Sequence, residues 1–128
     1  TNIVSGKPVQ VSSFRGKDEK YGASNLVDND AETYWATDDA VTTGSIEIDL
    51  GETKPLNFIL LQEYIPLGQR IKAFTVEVRN NNTWQQIAEG TTIGYKRILK
   101  LNGVNSDAIR IIITDSKASP VISNIAVY

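Results

Sequence analysis

Short runs in which apolar and polar side chains alternate fill the chain from Pro8 onward. In "SIEIDL" (45–50), "AFTVEV" (73–78) and "AIRIII" (108–113) the period is two, which puts one face of an extended strand in a core and the other in water. The same signals in "PVQVSS" (8–13), "NFILLQEYI" (57–65), "WQQIAE" (84–89), "KRILKL" (96–101) and "ISNIAVY" (122–128) bring the expectation to about eight strands. Helical spacing is nearly absent: only "ASNLVD" (23–28) reads as a helical turn, with Ser24 or Asn25 as its N-cap. Asn tolerates the left-handed backbone of tight hairpins, so "NNNT" (80–83) predicts a hairpin over 70–89. No repeat, charge block or Pro/Gly-rich linker divides the chain, and the expectation is one all-β domain over 1–128, a β-sandwich.

Composition narrows the chemistry. With 128 residues, 41% hydrophobic and 22% charged, the chain can bury a real core, which argues against disorder. No apolar run reaches the length of a membrane span. A net charge of -2 with scattered Lys and Arg argues against a nucleic-acid partner, whose phosphates demand clustered cations. The counts of 0 Cys and 0 His exclude disulfides, Cys or His zinc sites, Cys nucleophiles and Ser-His-Asp triads. Nothing marks Asp38, Asp39 or Glu63 as the paired carboxylates of a glycosidase, so the chain is not expected to be an enzyme. It begins at Thr1 without Met or an apolar signal segment, and is expected to be excised from something longer.

The acidic stretch "NLVDNDAETYW" (25–35) has two readings. Carboxylates, a hydroxyl and carbonyls in one turn are the ligand types of Ca²⁺, although the loop is not an EF-hand: Thr33 stands where that motif needs Gly, and strands rather than helices flank it. Alternatively it is a solvated turn in which Asp28 and Thr33 bond nearby backbone N–H groups. Of the two adjoining rings, Tyr34 and Trp35, one is expected to enter the core, and Trp84 is expected to pack rather than bind.

The frame "GKPVQVSS…YGASNLVDNDAETYWAT…SIEIDLG" (6–51), continued by "RIKAFTVEV", "WQQIAEGTT", "AIRIII" and "ISNIAVY", resembles discoidin domains, the coagulation factor V/VIII C-type family. That resemblance implies an eight-stranded jelly-roll sandwich of the galactose-binding type. "LQEYIPLGQRIKAF" (61–74) and "GTTIGYKRIL" (90–99) are similar to the C-terminal module of bacterial and plant α-L-fucosidases. This implies a non-catalytic module of a glycoside hydrolase whose catalytic barrel lies N-terminal, in a secreted, periplasmic or cell-surface protein.

What the resemblance implies about sites is specific. A structural Ca²⁺ would take side-chain oxygens from Asp28 and Thr33, and main-chain carbonyls around Asn25, Asp30 and Ser123. Asn124 stands where the family often has Glu, which weakens the site by one carboxylate. Glycans would bind on end loops 14–21, 63–70, 94–97 and 115–120, with Phe14, Tyr64 and Tyr95 as ring platforms and Arg15, Glu63 and Arg70 as hydrogen-bonding partners. The His that sugar-binding relatives commonly use is missing. Loops 63–70 and 94–97 read alternatively as a face that docks on the parent's catalytic domain. Adhesion to protein or phospholipid is the third reading, with Phe14, Ile65 and Leu67 as apolar spikes.

Overall fold

The computed structural model describes residues 2–128. Among the described residues there are seven strands: β1 (Val9–Val11), β2 (Trp35–Ala36), β3 (Gly44–Glu63), β4 (Ile71–Asn80), β5 (Thr83–Gly90), β6 (Arg97–Ser116) and β7 (Val121–Val127). All pairings are antiparallel, in the order β2-β7-β3-β6-β4-β5, with β1 on β3. All eight alternating runs contain strand, run 8–13 only at Val9–Val11, but two pairs of them are joined. Runs 45–50 and 57–65 both lie on β3, apart from the last two residues of the second, and runs 96–101 and 108–113 both lie on β6, apart from Lys96.

These two long ribbons make the sandwich. Their register slips between Asp49 and Lys54, where Gly51 (φ 83°) takes left-handed backbone, and again between Leu56 and Phe58, where Asn102 (φ 57°) and Gly103 (φ 71°) of the facing strand do so. Bulges of this kind bend a strand sharply, so each ribbon serves one layer with its first half and the other with its second. One layer is β1, the first half of β3, the second half of β6, β4 and β5. The other is β2, β7 and the remaining halves of β3 and β6.

Between the layers lies one core. Ile46, Ile48 and Leu50 from one half of β3 join Leu56, Ile59 and Leu61 from the other, with Phe74, Val76 and Val78 of β4 and Ile109, Ile111 and Ile113 of β6. Each such side chain, fully buried, contributes roughly 1.5–3 kcal/mol. Trp35 is the ring that enters the core: it is fully buried, and its indole N–H donates to the Ser13 carbonyl at 2.9 Å.

The hairpin 70–89 is present as β4 and β5, with Asn81 (φ 53°) and Asn82 (φ 63°) at its tip. Both central residues have positive φ, as a two-residue hairpin turn requires. The turn at Ala23–Leu26 is a 3₁₀ turn, but Gly22 rather than Ser24 or Asn25 occupies its N-cap, and no side chain caps it. The Asn25 amide instead reaches across to the carbonyls of Lys20 and Tyr34, at 2.8 and 2.9 Å. Trp84 is half-buried on the outer face under the Arg110 guanidinium, 4.3 Å from its ring centroid, while Arg110 itself bonds Glu77 at 2.6 Å. It packs, as expected of it.

Candidate functional site

At one end of the sandwich β3 runs into loop 64–70, and Glu63, the last residue of the strand, organises that loop. Its side chain is 2% exposed. One carboxylate oxygen accepts the backbone N–H groups of Arg70 (2.8 Å) and Ile71 (2.9 Å), and the other accepts that of Gly94 (2.8 Å). The Glu63 N–H in turn donates to the Gly94 carbonyl at 2.9 Å. A carboxylate with these donors on its two oxygens is well satisfied in a buried setting, where an unpaired one is costly. Glu63, expected among the groups that meet a sugar, points inward and fixes loops 63–70 and 94–97 to each other. Arg70 is held similarly: its guanidinium donates to the carbonyls of Leu67 (3.2 Å) and Ser119 (2.9 Å), which brings loop 115–120 into the same cluster.

Three tyrosines stack across this end. Tyr34 lies 4.5 Å from Tyr64 and 5.6 Å from Tyr21 between ring centroids, with tilts of 33° and 35°. These are attractive aromatic geometries. The stack continues into a cation, since the Arg15 guanidinium sits 5.6 Å from the Tyr21 ring. Arg15 is anchored by the Thr37 carbonyl (3.3 Å) and Asp39 (3.4 Å), and Asp38 holds the backbone of the Arg15–Lys17 turn through the Gly16 N–H (2.9 Å).

Beside Tyr64 opens a cleft of about 200 Å³, lined also by Glu32, Pro66, Tyr95 and Ser123. Tyr95 is 71% exposed, the most exposed large apolar side chain among the described residues. Tyr64 and Tyr95, on separate loops, thus share one opening with the acidic loop and the last strand. Phe14 does not join them. It packs against the core and borders a separate depression with Val9, Val11 and Glu19.

The acidic loop is closed by its own hydrogen bonds. Asp28 accepts from the Asp30 N–H (2.9 Å) and from the Thr33 hydroxyl, and Asp30 accepts from the Glu32 N–H (2.9 Å). Among the described residues no group of three or more His, Cys, Asp and Glu side chains converges as a metal cluster. On β7, Ser123 faces the Gln62 carbonyl at 3.4 Å and the Asn124 amide nitrogen donates to Gln62 at 3.0 Å, leaving the Asn124 Oδ1 buried with no partner. An all-oxygen donor set with one orphaned carbonyl suits a hard cation, and so fits Ca²⁺ chemically.

Comparison with known families assigns the architecture: the F5/8 type C domain matches residues 8–127. The chain belongs to the F5/8 type C domain family. Over 99% of its length it is 29% identical to alpha-L-fucosidase 1 of Arabidopsis thaliana, of which it covers 26%. A GH29 fucosidase of Ruminococcus gnavus, solved in complex with fucose, matches the whole chain at 39% identity and a TM-score of 0.92, with 26% of that protein covered. The chain therefore spans about a quarter of the fucosidases it matches. The family 32 carbohydrate-binding module of NanJ from C. perfringens, solved with galactose, matches 99% of the chain and 97% of its own at a TM-score of 0.84; at 21% identity this speaks to fold alone.

Within this F5/8 type C domain, Tyr21, Tyr34 and Glu32 are the residues of the loop end that sequence reasoning did not select. Tyr21 closes the "FRGKDEKY" loop, and Tyr34 stands beside the core residue Trp35, so alternation alone turns it outward. Glu32 reads in the sequence only as one more acid of the loop.

Proposed function

We propose that the chain is a non-catalytic module of an α-L-fucosidase-like glycoside hydrolase, and that its loop end binds terminal galactose- or fucose-type glycans weakly. The observation that supports this most is the cleft between Tyr64 and the exposed Tyr95, which offers an aromatic face beside the Glu32 carboxylate and the Ser123 hydroxyl. A pyranose presents an apolar C–H face and a rim of hydroxyls, so a ring platform flanked by a few polar groups meets both. Glu63 and Arg70 hold the platform loops in place, while Arg15 and the tyrosine stack extend the aromatic surface away from the cleft. An open, shallow cleft of this size suits millimolar affinity, about -4 kcal/mol.

The carboxylates near this end support a binding role rather than hydrolysis. Glu63 is committed to three backbone N–H groups through both of its oxygens, so it is not free to serve as an acid or a nucleophile. Asp28, Thr33, Asn124 and the carbonyls around Asn25, Asp30 and Ser123 would hold a Ca²⁺ whose part is to tie the acidic loop to β7. A module of this kind works on external glycans, in a secreted, periplasmic or surface-attached enzyme.

The experiment is a glycan-array screen of the 128-residue chain with Ca²⁺, followed by NMR titration of the hits. Binding of fucosylated or galactosylated glycans that Tyr95→Ala abolishes establishes the reading. Absence of binding at tens of millimolar sugar removes it. Co-sedimentation with phospholipid vesicles through Ile65 and Leu67, each 40% exposed, would assign adhesion instead.

A further inference from the structure

On the outer face of the first layer, register aligns Gln10, Glu47, Arg110, Glu77 and Gln86 in one polar row across β1, β3, β6, β4 and β5. A second row lies one outward position further along each strand. There the Asp49 N–H donates to the Pro8 carbonyl at 3.1 Å, Asp49 stands opposite Ala108, and Arg79 stands opposite Trp84. Ile109 and Ile111 of β6 enter the core, so alternation turns Ala108 outward together with Arg110. Between Asp49 and Arg79, therefore, the row offers only a methyl group. The longer neighbours wall it in, which leaves Ala108 only 2% exposed and opens over it a hollow of about 170 Å³ that Gln10, Glu47, Asp49 and Arg79 line.

Arg79 is fixed in place at this hollow. Its N–H donates to the Ser106 hydroxyl at 3.0 Å and its carbonyl accepts from that hydroxyl at 2.8 Å, while its Nε donates to Asp107 at 3.0 Å and its guanidinium lies 5.7 Å from the Trp84 ring. The hydrogen bond to Asp107 raises the Arg79 pKa above its ordinary value, and the Asp49 and Glu47 charges act in the same direction. Yet among the described residues neither Glu47 nor Asp49 forms an ion pair, and Asp49 accepts only the Gly51 N–H, at 2.8 Å, through one oxygen. Two carboxylates and a guanidinium thus border one space without closing on each other.

An occupant of that space must donate to Glu47 and Asp49 and accept from Arg79. A cation satisfies the carboxylates but meets the guanidinium, and an anion does the reverse. A hydroxyl is donor and acceptor at once, and two on adjacent carbons reach both kinds of partner. We infer that the hollow over Ala108 is a second saccharide site, which takes a neutral pyranose through a pair of vicinal hydroxyls held between Glu47 and Asp49 on one side and Arg79 on the other. It is separate from the cleft at Tyr64 and Tyr95: from Ile71, beside the loop end, to Arg79 is about 27 Å along β4. The second site goes beyond the loop-end reading and stands without it. Where both hold, the module grips a glycan at two points, which raises avidity with no new contact at either. With no ring to stack on, the hollow binds more weakly than the cleft, so residue-resolved shifts rather than total heat report it.

The test is an NMR titration of the 128-residue chain, read at backbone amides and at the Arg79 Nε–H, with L-fucose, D-galactose, D-mannose and D-glucosamine each raised to about 200 mM. Saturating shifts at Gln10, Ala108 and Arg79 with a neutral sugar are expected. Ala108→Gln, which fills the hollow, and Glu47→Gln, which keeps its shape but removes a charge, should each abolish them while the shifts at Tyr64 and Tyr95 stay. Absence of saturating shifts at these residues overturns the inference, and so do shifts that survive both variants. Shifts with D-glucosamine alone would make the occupant an ammonium group and overturn it as well. Shifts at the hollow with none at Tyr64 and Tyr95 would uphold the second site and remove the loop-end reading, and the reverse pattern would do the opposite.

Discussion

The Glu63 carboxylate accepts the backbone N–H of Gly94 at 2.8 Å, and through that bond two loops distant in sequence become one surface. Gly94 takes left-handed backbone (φ 66°), so the bond also depends on a residue free of Cβ strain. Glu63→Gln turns one acceptor into a donor facing a donor, and is expected to lower stability by about 1–3 kcal/mol, the cost of leaving a buried group unpaired. Glu63→Ala should cost at least as much. Chemical denaturation of both variants checks this, and NMR shift changes confined to Tyr64, Arg70 and Tyr95 would show the loops separating before the sandwich does.

Trp35→Ala removes the largest buried ring and orphans the Ser13 carbonyl that accepts its N–H. Large-to-small changes of this kind cost about 3–5 kcal/mol. Trp84→Ala, on the outer face, should cost about 1–2 kcal/mol, since it loses partial burial and the contact with Arg110. Parallel thermal melts separate the two, and equal losses would mean that Trp84 is a core residue after all.

The strands were legible because period-two alternation is a direct imprint of a two-layer core: every run from "PVQVSS" to "ISNIAVY" contains strand. The joining of runs within β3 and β6 was hidden, because a bulge at 50–54 keeps pairing continuous while the intervening residues look like a turn. The cap at Gly22 was missed because Asn25 found distant carbonyls for its amide. At the site, residue types were legible and directions were not. Glu63 as a polar loop-end residue is equally compatible with a sugar or with backbone N–H groups, and only the return of loop 94–97 decides which it meets. Phe14 and Tyr64 look alike as loop aromatics, yet one packs on the core and the other stacks on Tyr34.

Tyr95→Ala and Tyr64→Ala should part company. Tyr95 is 71% exposed, so its loss is expected to change stability by less than about 0.5 kcal/mol while abolishing detectable sugar binding. Tyr64 carries the 4.5 Å stack with Tyr34, and its removal should cost about 0.5–1.5 kcal/mol in addition to binding. Isothermal titration beside denaturant melts measures both. Sugar binding retained by Tyr95→Ala would move the site away from this cleft.

Calcium provides the last test, and it turns on Asn124. Its Oδ1 is buried without a partner, while its amide is committed to Gln62. If Ca²⁺ binds with a dissociation constant near 10⁻³ M, ~10 mM ion stabilises the fold by about 1.4 kcal/mol, readable as a rise in melting temperature over a sample in EDTA. Asp28→Ala should erase that rise, and should also lower stability without calcium by about 1–2 kcal/mol, since the Asp30 N–H and the Thr33 hydroxyl lose their acceptor. Asn124→Glu should increase the rise, because a carboxylate replaces a neutral oxygen. A melting temperature insensitive to Ca²⁺ in both the unaltered chain and Asn124→Glu would leave the hydrogen bonds of Asp28 and Thr33 as the loop's whole means of closure.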